Sequence, residues 1–131
     1  VPATFLLDAE SDLAPYAQKD RWIVKPAGSY NSVGVKAGLD CATDDEWQEA
    51  LASCATSGGI VQEYARQYAT PVIEGGAVPE GADPVDFRMA HNMEGLYLFR
   101  GAFAGVFTRC GYQNVIGEWT HRINMGCLVV R

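Results

Sequence analysis

The sequence predicts an α+β chain: a mainly antiparallel β-sheet with one or two packed helices. Two observations carry this. One segment, "TDDEWQEALASCA" (43–55), has helical periodicity and a start signal. Most other apolar stretches are short, alternate with polar residues and end at glycine or proline, as strands do. The length, 131 residues, suits one domain or a piece of a larger protein.

Taken in order, residues 1–20 read as a short strand or loop and then a short helix near 9–17. Trp22–Lys25 is an apolar run ending at Pro26, hence a strand, and Gly34–Gly38 is expected to return as its hairpin partner. In the helix, Thr43 and Glu46 have capping-box spacing. Asp44 and Asp45 suit the positive end of the helix dipole. Trp47, Ala50, Leu51 and Cys54 fall on one face, and Gly58-Gly59 stops the helix. "IVQEYA" (60–65) is a strand. "EGGAVPEGADP" (74–84) has the composition of a surface loop.

From Val85 the pattern turns to β. "VDFRMAHN" alternates, Met93-Glu94-Gly95 looks like a turn, and "LYLF" and "AFAGVFTR" are strands joined at Arg100-Gly101. Residues 111–126 read as irregular and "CLVVR" as a last strand. The parts divide into a lysine-loop and helix portion, 21–65, and a sheet portion, 85–131.

The formal charge of -6 argues against a dedicated nucleic-acid binder. No apolar run is long enough to span a membrane. Of the four cysteines, none forms a Cys-x-x-Cys pair, and His91 and His121 sit at no zinc spacing. Buried free thiols in a cytoplasmic protein are expected, with no cysteine-based catalysis, although the spacing is also compatible with disulfides. Both histidines read as ordinary solvated or hydrogen-bonded residues.

Three places suggest chemistry. Lys25 closes a strand directly before "PAGSYNSVGV", where Gly28, Ser29, Asn31, Ser32 and Gly34 can bring N–H groups and hydroxyls to phosphate oxygens. Taken alone, Lys25 also fits a solvated surface lysine. The order is neither a Walker A loop nor G-x-G-x-x-G. Gln62-Glu63-Tyr64 sets polar residues in an apolar strand, either as its wet side or as an adenine and ribose contact. Asp86 and Arg88 share a strand face, as a surface ion pair would, yet Lys25, Arg88, Arg109 and Arg122, with Asn124 near the last, supply cations that suit a polyphosphate if they converge on one sheet face.

In this order the segments "RWIVKPAGSYNSVGV", "VQEY", "DFR", "GLYLFRGAFAGVFTR" and "RINMG" resemble the ATP-grasp superfamily. The likeness covers roughly residues 21–126. "DFR" followed by a later arginine and asparagine is similar to ribosomal-protein glutamate ligases. "KPAGSYNSVGV" and "VQEY" are also similar to glutathionylspermidine-synthase-like, circularly permuted members. The resemblance implies ATP clamped between two α+β subdomains, with Mg²⁺ as cofactor. It implies that Lys25 contacts the ATP phosphates and that the loop 27–34, with Gly28, Ser29, Ser32 and Gly34, closes over them. Gln62, Glu63 and Tyr64 would line the adenine and ribose. Arg88 and Arg109 would act on the phosphates or an acyl-phosphate, and Asn124 would sit near metal or phosphate. The implied reaction joins a small-molecule or peptide carboxylate to an amine through an acyl-phosphate.

The chain departs from the family at the metal strand, because it has no Glu-x-Asn. Glu118 is a metal candidate by position only. Two readings fit: the C-terminal part of a longer permuted ligase, inactive without the remainder of its polypeptide, or a binding-only relative. The alternative from another class is a non-catalytic β-rich interaction module that uses Tyr97, Phe99 or Tyr112.

Overall fold

The computed structural model describes residues 1–72, 88–117 and 122–125. The chain forms two compact units, Val1–Arg66 with Gly117–Trp119 and Gln67–Ile116 with Thr120–Arg131.

The first unit holds β1 (Thr4–Leu7), β2 (Trp22–Pro26), β3 (Lys36–Ala37), α1 (Asp44–Ser57) and β4 (Gly59–Glu63). Single-turn 3₁₀ helices lie at Ala14–Tyr16, Lys19–Arg21 and Gly38–Asp40. The sheet order is β1-β4-β2-β3, and every pairing is antiparallel. The expected hairpin of Trp22–Lys25 with the segment after the loop is therefore present. The expected helix near 9–17 is reduced to the one turn at Ala14–Tyr16.

The helix forms where its signals lie. Thr43 is the N-cap, and its Oγ1 accepts from the Glu46 backbone N–H at 3.2 Å. Glu46 closes the return bond one residue earlier than a capping box does, accepting from the Ala42 N–H at 2.7 Å. Gly58 ends the helix at φ 71°, a conformation that costs glycine little. Trp47, Leu51 and Cys54 are buried, and with Leu7, Trp22, Val24 and Val61 they form the core between α1 and one sheet face. Phe5 and Tyr16 each meet Trp22 edge to face at one end and lie tilted against each other, with ring centroids 5.1–6.2 Å apart.

Glu46 also pairs with Lys36, Nζ to Oε1 at 3.1 Å. The Ala42 N–H, then the Lys36 ammonium, hold the Glu46 carboxyl below its ordinary range. The bond to Glu46 raises Lys36 in turn. A carboxylate lowered in the folded state stabilises at neutral pH, and that contribution is lost as pH falls through the lowered value. Glu46→Gln should therefore reduce the drop in thermal midpoint between about pH 5 and about pH 3. Melting curves of the two proteins across that range would show it; parallel acid limbs would be the contrary result.

The second unit is a meander of β5 (Ala69–Val72), β6 (Arg88–Phe99), β7 (Ala102–Gly111) and β8 (Arg122–Met125), in that order and antiparallel throughout. Its buried centre is Val72, Ala90 and Cys110, with Tyr112 and Ile123 against it. The Arg100-Gly101 turn is as expected. Its φ values of 50° and 79° are those of the primed two-residue turn that matches strand twist.

Three expectations are corrected. Met93-Glu94-Gly95 is not a turn, because β6 runs through it with Met93, Glu94 and Gly95 opposite Arg109, Thr108 and Phe107. Gly95 simply lies within the ladder. Residues 111–126 are not wholly irregular, because 122–125 pair with β7. Ala69–Val72 is a strand that the sequence pattern did not reveal, and its Pro71 is tolerated because β5 is the sheet edge. The 74–84 loop, Val85–Phe87, Glu118, His121 and "CLVVR" lie outside the described residues. Cys41, Cys54 and Cys110 are buried free thiols, each raised by burial and so poorly ionised.

Candidate functional site

Strand alternation divides the first sheet into two faces. Val24 and Val61 point into the core beneath α1. Lys25 and Gln62, next to them in sequence, therefore point to the opposite face. The β2–β4 register sets Lys25 opposite Ile60 and Gln62 opposite Ile23, so the two polar side chains are diagonal neighbours. They meet: Lys25 Nζ donates to Gln62 Oε1 at 2.7 Å. Gln62 Nε2 donates on to Thr4 Oγ1 at 2.7 Å, and Thr4 Oγ1 donates to the Pro2 carbonyl at 3.1 Å. An ammonium has only donors, so Lys25 fixes which end of the Gln62 amide faces it. One of its three N–H donors is used by Gln62, on a part-exposed face.

The loop leaving Lys25-Pro26 is built from left-handed residues. Gly28, Asn31, Ser32 and Gly34 have φ of 70°, 52°, 63° and 72°. Two tight turns result, with Val33 N–H donating to Tyr30 O at 3.0 Å and Val35 N–H to Ser32 O at 3.2 Å. Gly34 is required twice over, by its φ and because a Cβ would meet Pro26 Cγ at 3.0 Å. Ser29 Oγ turns back to donate to the Pro26 carbonyl at 3.1 Å. Ser32 lies against Gly117, where a Cβ would come within 2.7 Å of the Ser32 Cβ. Tyr30 and Val33 are exposed.

Glu63 does not join Lys25. It follows Gln62 and projects from the other face, where it lies 4.0 Å from Arg21 and accepts from the Ala3 N–H at 3.5 Å. Tyr64 is half-buried just beyond β4, its N–H donating to the Arg21 carbonyl at 2.7 Å. Burial, then the nearby Asp40 carboxylate, raises its phenol. On the helix side, a groove of about 400 Å³ is lined by Val24, Gly34, Lys36, Glu46 and Cys54. The Lys25 ammonium points away from it.

In the second unit the register separates the two arginines. Arg88 shares a face with Ala90 and Asn92, and its guanidinium covers the Tyr112 ring at 4.3 Å. Arg109 points from the other face. There it stands opposite Met93 on one side and Asn124 on the other, and His91 and Arg122 project from the same side. Arg109 Nη2 approaches Met93 Sδ at 3.6 Å. Arg109 Nε and His91 Nδ1 are buried without a hydrogen-bond partner among the described residues. Leaving such an atom unpaired typically costs about 1–3 kcal/mol, which an added acceptor or donor recovers. Arg109 and Asn124 are thus brought together and Arg88 is not. His91 joins them, although an isolated histidine in the sequence gives no such sign; only the strand register does.

A magnesium ion does not fit the described residues. Asn124 is flanked by Arg109 and Arg122, which repel a cation. Among the described residues, no three His, Cys, Asp or Glu side chains come together to hold a metal. No described helix is long and apolar enough to cross a membrane. Comparison of the chain with protein-family models, with curated proteins and with solved structures gives no match.

Proposed function

We propose that this chain is an ATP-binding domain of the ATP-grasp kind, belonging to a cytoplasmic ATP-dependent carboxylate–amine ligase and inactive without the remainder of its polypeptide. One observation carries the reading. The Lys25 ammonium, anchored by Gln62 on the sheet face that α1 leaves uncovered, sits at the root of a loop with four left-handed residues. That combination offers a fixed cation and turned backbone N–H groups to a phosphate chain. In the reaction so proposed, the protein's part is positioning and charge neutralisation. Lys25 holds phosphate oxygens, and the loop restricts water around them. Arg109 beside Asn124 is a separate patch in the second unit that suits an anion. No metal-assisted step is assigned to this chain's residues.

Calorimetric titration with ATP and with ADP, with and without magnesium, tests the reading. Saturable binding is expected, weakened at least about tenfold in Lys25→Ala, the scale of one charge-assisted hydrogen bond. Gln62→Ala should weaken it less, because the ammonium remains but loses its anchor. Equal affinity in wild type and Lys25→Ala, or no binding of either nucleotide, would remove the basis for the proposal.

A second reading, a non-catalytic interaction module, rests on the exposed apolar side chains of the β6–β7 hairpin. A flat titration would favour it.

A further inference from the structure

The β6–β7 hairpin outruns its neighbours. β5 pairs with β6 only over Arg88–His91, and β8 pairs with β7 only over Thr108–Gly111. Past that point the two strands continue as a ribbon to Arg100-Gly101. Its apolar side chains are open to solvent, with Leu96 69%, Tyr97 58%, Leu98 67%, Phe99 69% and Phe103 56% exposed. Leu96, Leu98 and Phe103 lie on one face of the ribbon and Tyr97 and Phe99 on the other, so both faces carry exposed apolar side chains. The backbone is open too. The Asn92 N–H donates to the Tyr68 carbonyl on the β5 side. By alternation, Glu94, Leu96 and Leu98 aim their N–H and C=O groups the same way. Among the described residues no strand takes them. A hydrophobic strand edge in this state is a template for another strand.

The sequence of that edge selects its own copy. Antiparallel self-pairing about a two-fold axis at Tyr97 brings Glu94 to the end of the ladder, where the partner's β6 ends at Phe99 and its turn residue Arg100 follows. The same register puts Leu96 opposite the partner's Leu98, Gly95 opposite the partner's Phe99, and Tyr97 opposite the partner's Tyr97. Both members of each Leu96–Leu98 pair have outward N–H and C=O groups, so the ladder can close. The charged pair occurs twice by symmetry, once at each end. The aromatic ring lies against the glycine, the one residue without a side chain to obstruct it. A shift of two residues either way leaves Glu94 facing an apolar residue or solvent. We propose that two copies of this chain associate through the β6 edge, Glu94 to Arg100, forming a continuous antiparallel sheet across the two-fold. This rests on the ribbon alone and is independent of the nucleotide reading.

Charge reversal tests it. Arg100→Asp keeps the turn, because Asp-Gly is a favoured sequence for it. Glu94→Arg lies on an exposed strand position. Sedimentation over a concentration series should show a monomer–dimer equilibrium for the wild type. Each single reversal should weaken it by about tenfold, since two pairs turn from attractive to repulsive. The double reversal should restore it. Amide exchange should show Leu96 and Leu98 N–H groups gaining protection as concentration rises, with the variants' near-ultraviolet spectra confirming that they fold. A wild type that stays monomeric at millimolar concentration would overturn the proposal, even if an added extended peptide then occupies the edge. So would a dimer that both single reversals leave unchanged, a double reversal without recovery, or protection that appears on β7 instead.

Discussion

Trp47→Ala should lower the unfolding free energy of the first unit by about 3–5 kcal/mol, enough to abolish most of the stability of a small domain. The side chain is wholly buried, and it fills the space between α1 and the sheet beside Leu51, Val24 and Val61. Removing it leaves a cavity that surrounding groups fill only in part. It also removes a donor. Trp47 Nε1 donates to the Tyr16 carbonyl at 2.8 Å, pinning the 3₁₀ turn to the helix. Trp47→Phe separates the two effects, since it keeps most of the volume and loses the bond; its cost should be about 1–3 kcal/mol. Urea titrations of the three proteins give the comparison. A loss below about 1 kcal/mol in Trp47→Ala would mean that the core is not organised around this residue.

Gly59→Ala should be the most damaging single methyl addition in the chain's first sheet. A Cβ there would lie 2.6 Å from Cys54 Sγ, 2.6 Å from the Lys25 carbonyl oxygen and 3.0 Å from Pro26 Cα. Two of these three atoms are backbone, so the strand carrying Lys25 must move. Overpacking of this kind costs about 1–3 kcal/mol. Gly58→Ala is the natural comparison. It has open space, and only its positive φ opposes a side chain, at about 1–2 kcal/mol. The two variants thus separate by function rather than by stability. On the proposed nucleotide reading, Gly59→Ala should weaken binding by displacing Lys25, and Gly58→Ala should leave it nearly unchanged. Denaturation and calorimetry on both proteins provide the test; equal nucleotide affinities would disconnect Gly59 from the Lys25 strand end.

The first unit was largely legible because its signals are local. Thr43, Glu46 and Gly58 mark the helix ends, and the Trp47–Leu51–Cys54 spacing marks its buried face. The second unit was less so. Glu94-Gly95 and Arg100-Gly101 look alike in sequence, and only the pairing of Phe99 with Ala102 shows which is the turn. β5 and β8 are four residues each and contain proline or charged residues, so their strand character comes from pairing rather than from composition. The candidate site divides in the same way. Lys25 and Gln62 could be singled out as residue types, but their contact depends on the β2–β4 register. Alternation along single strands could not reveal that Arg109 faces Asn124 while Arg88 lies on the other side. Glu63 sits beside Gln62 in sequence, yet the strand sends it to the opposite face.

The unequal cores of the two units have a consequence for folding. Among the described residues, nine buried side chains form the core of the first unit, including two tryptophans, and three form that of the second. Cooperative opening follows buried apolar contact, so the β5–β8 meander should open at lower free energy than the sheet beneath α1. The fluorescence of Trp22 and Trp47 would not register that opening. The meander also needs a distant strand, β8, to complete it, whereas the first unit's helix forms from neighbouring residues. A chain emerging in order would thus own a formed lysine strand and helix before its arginine face exists.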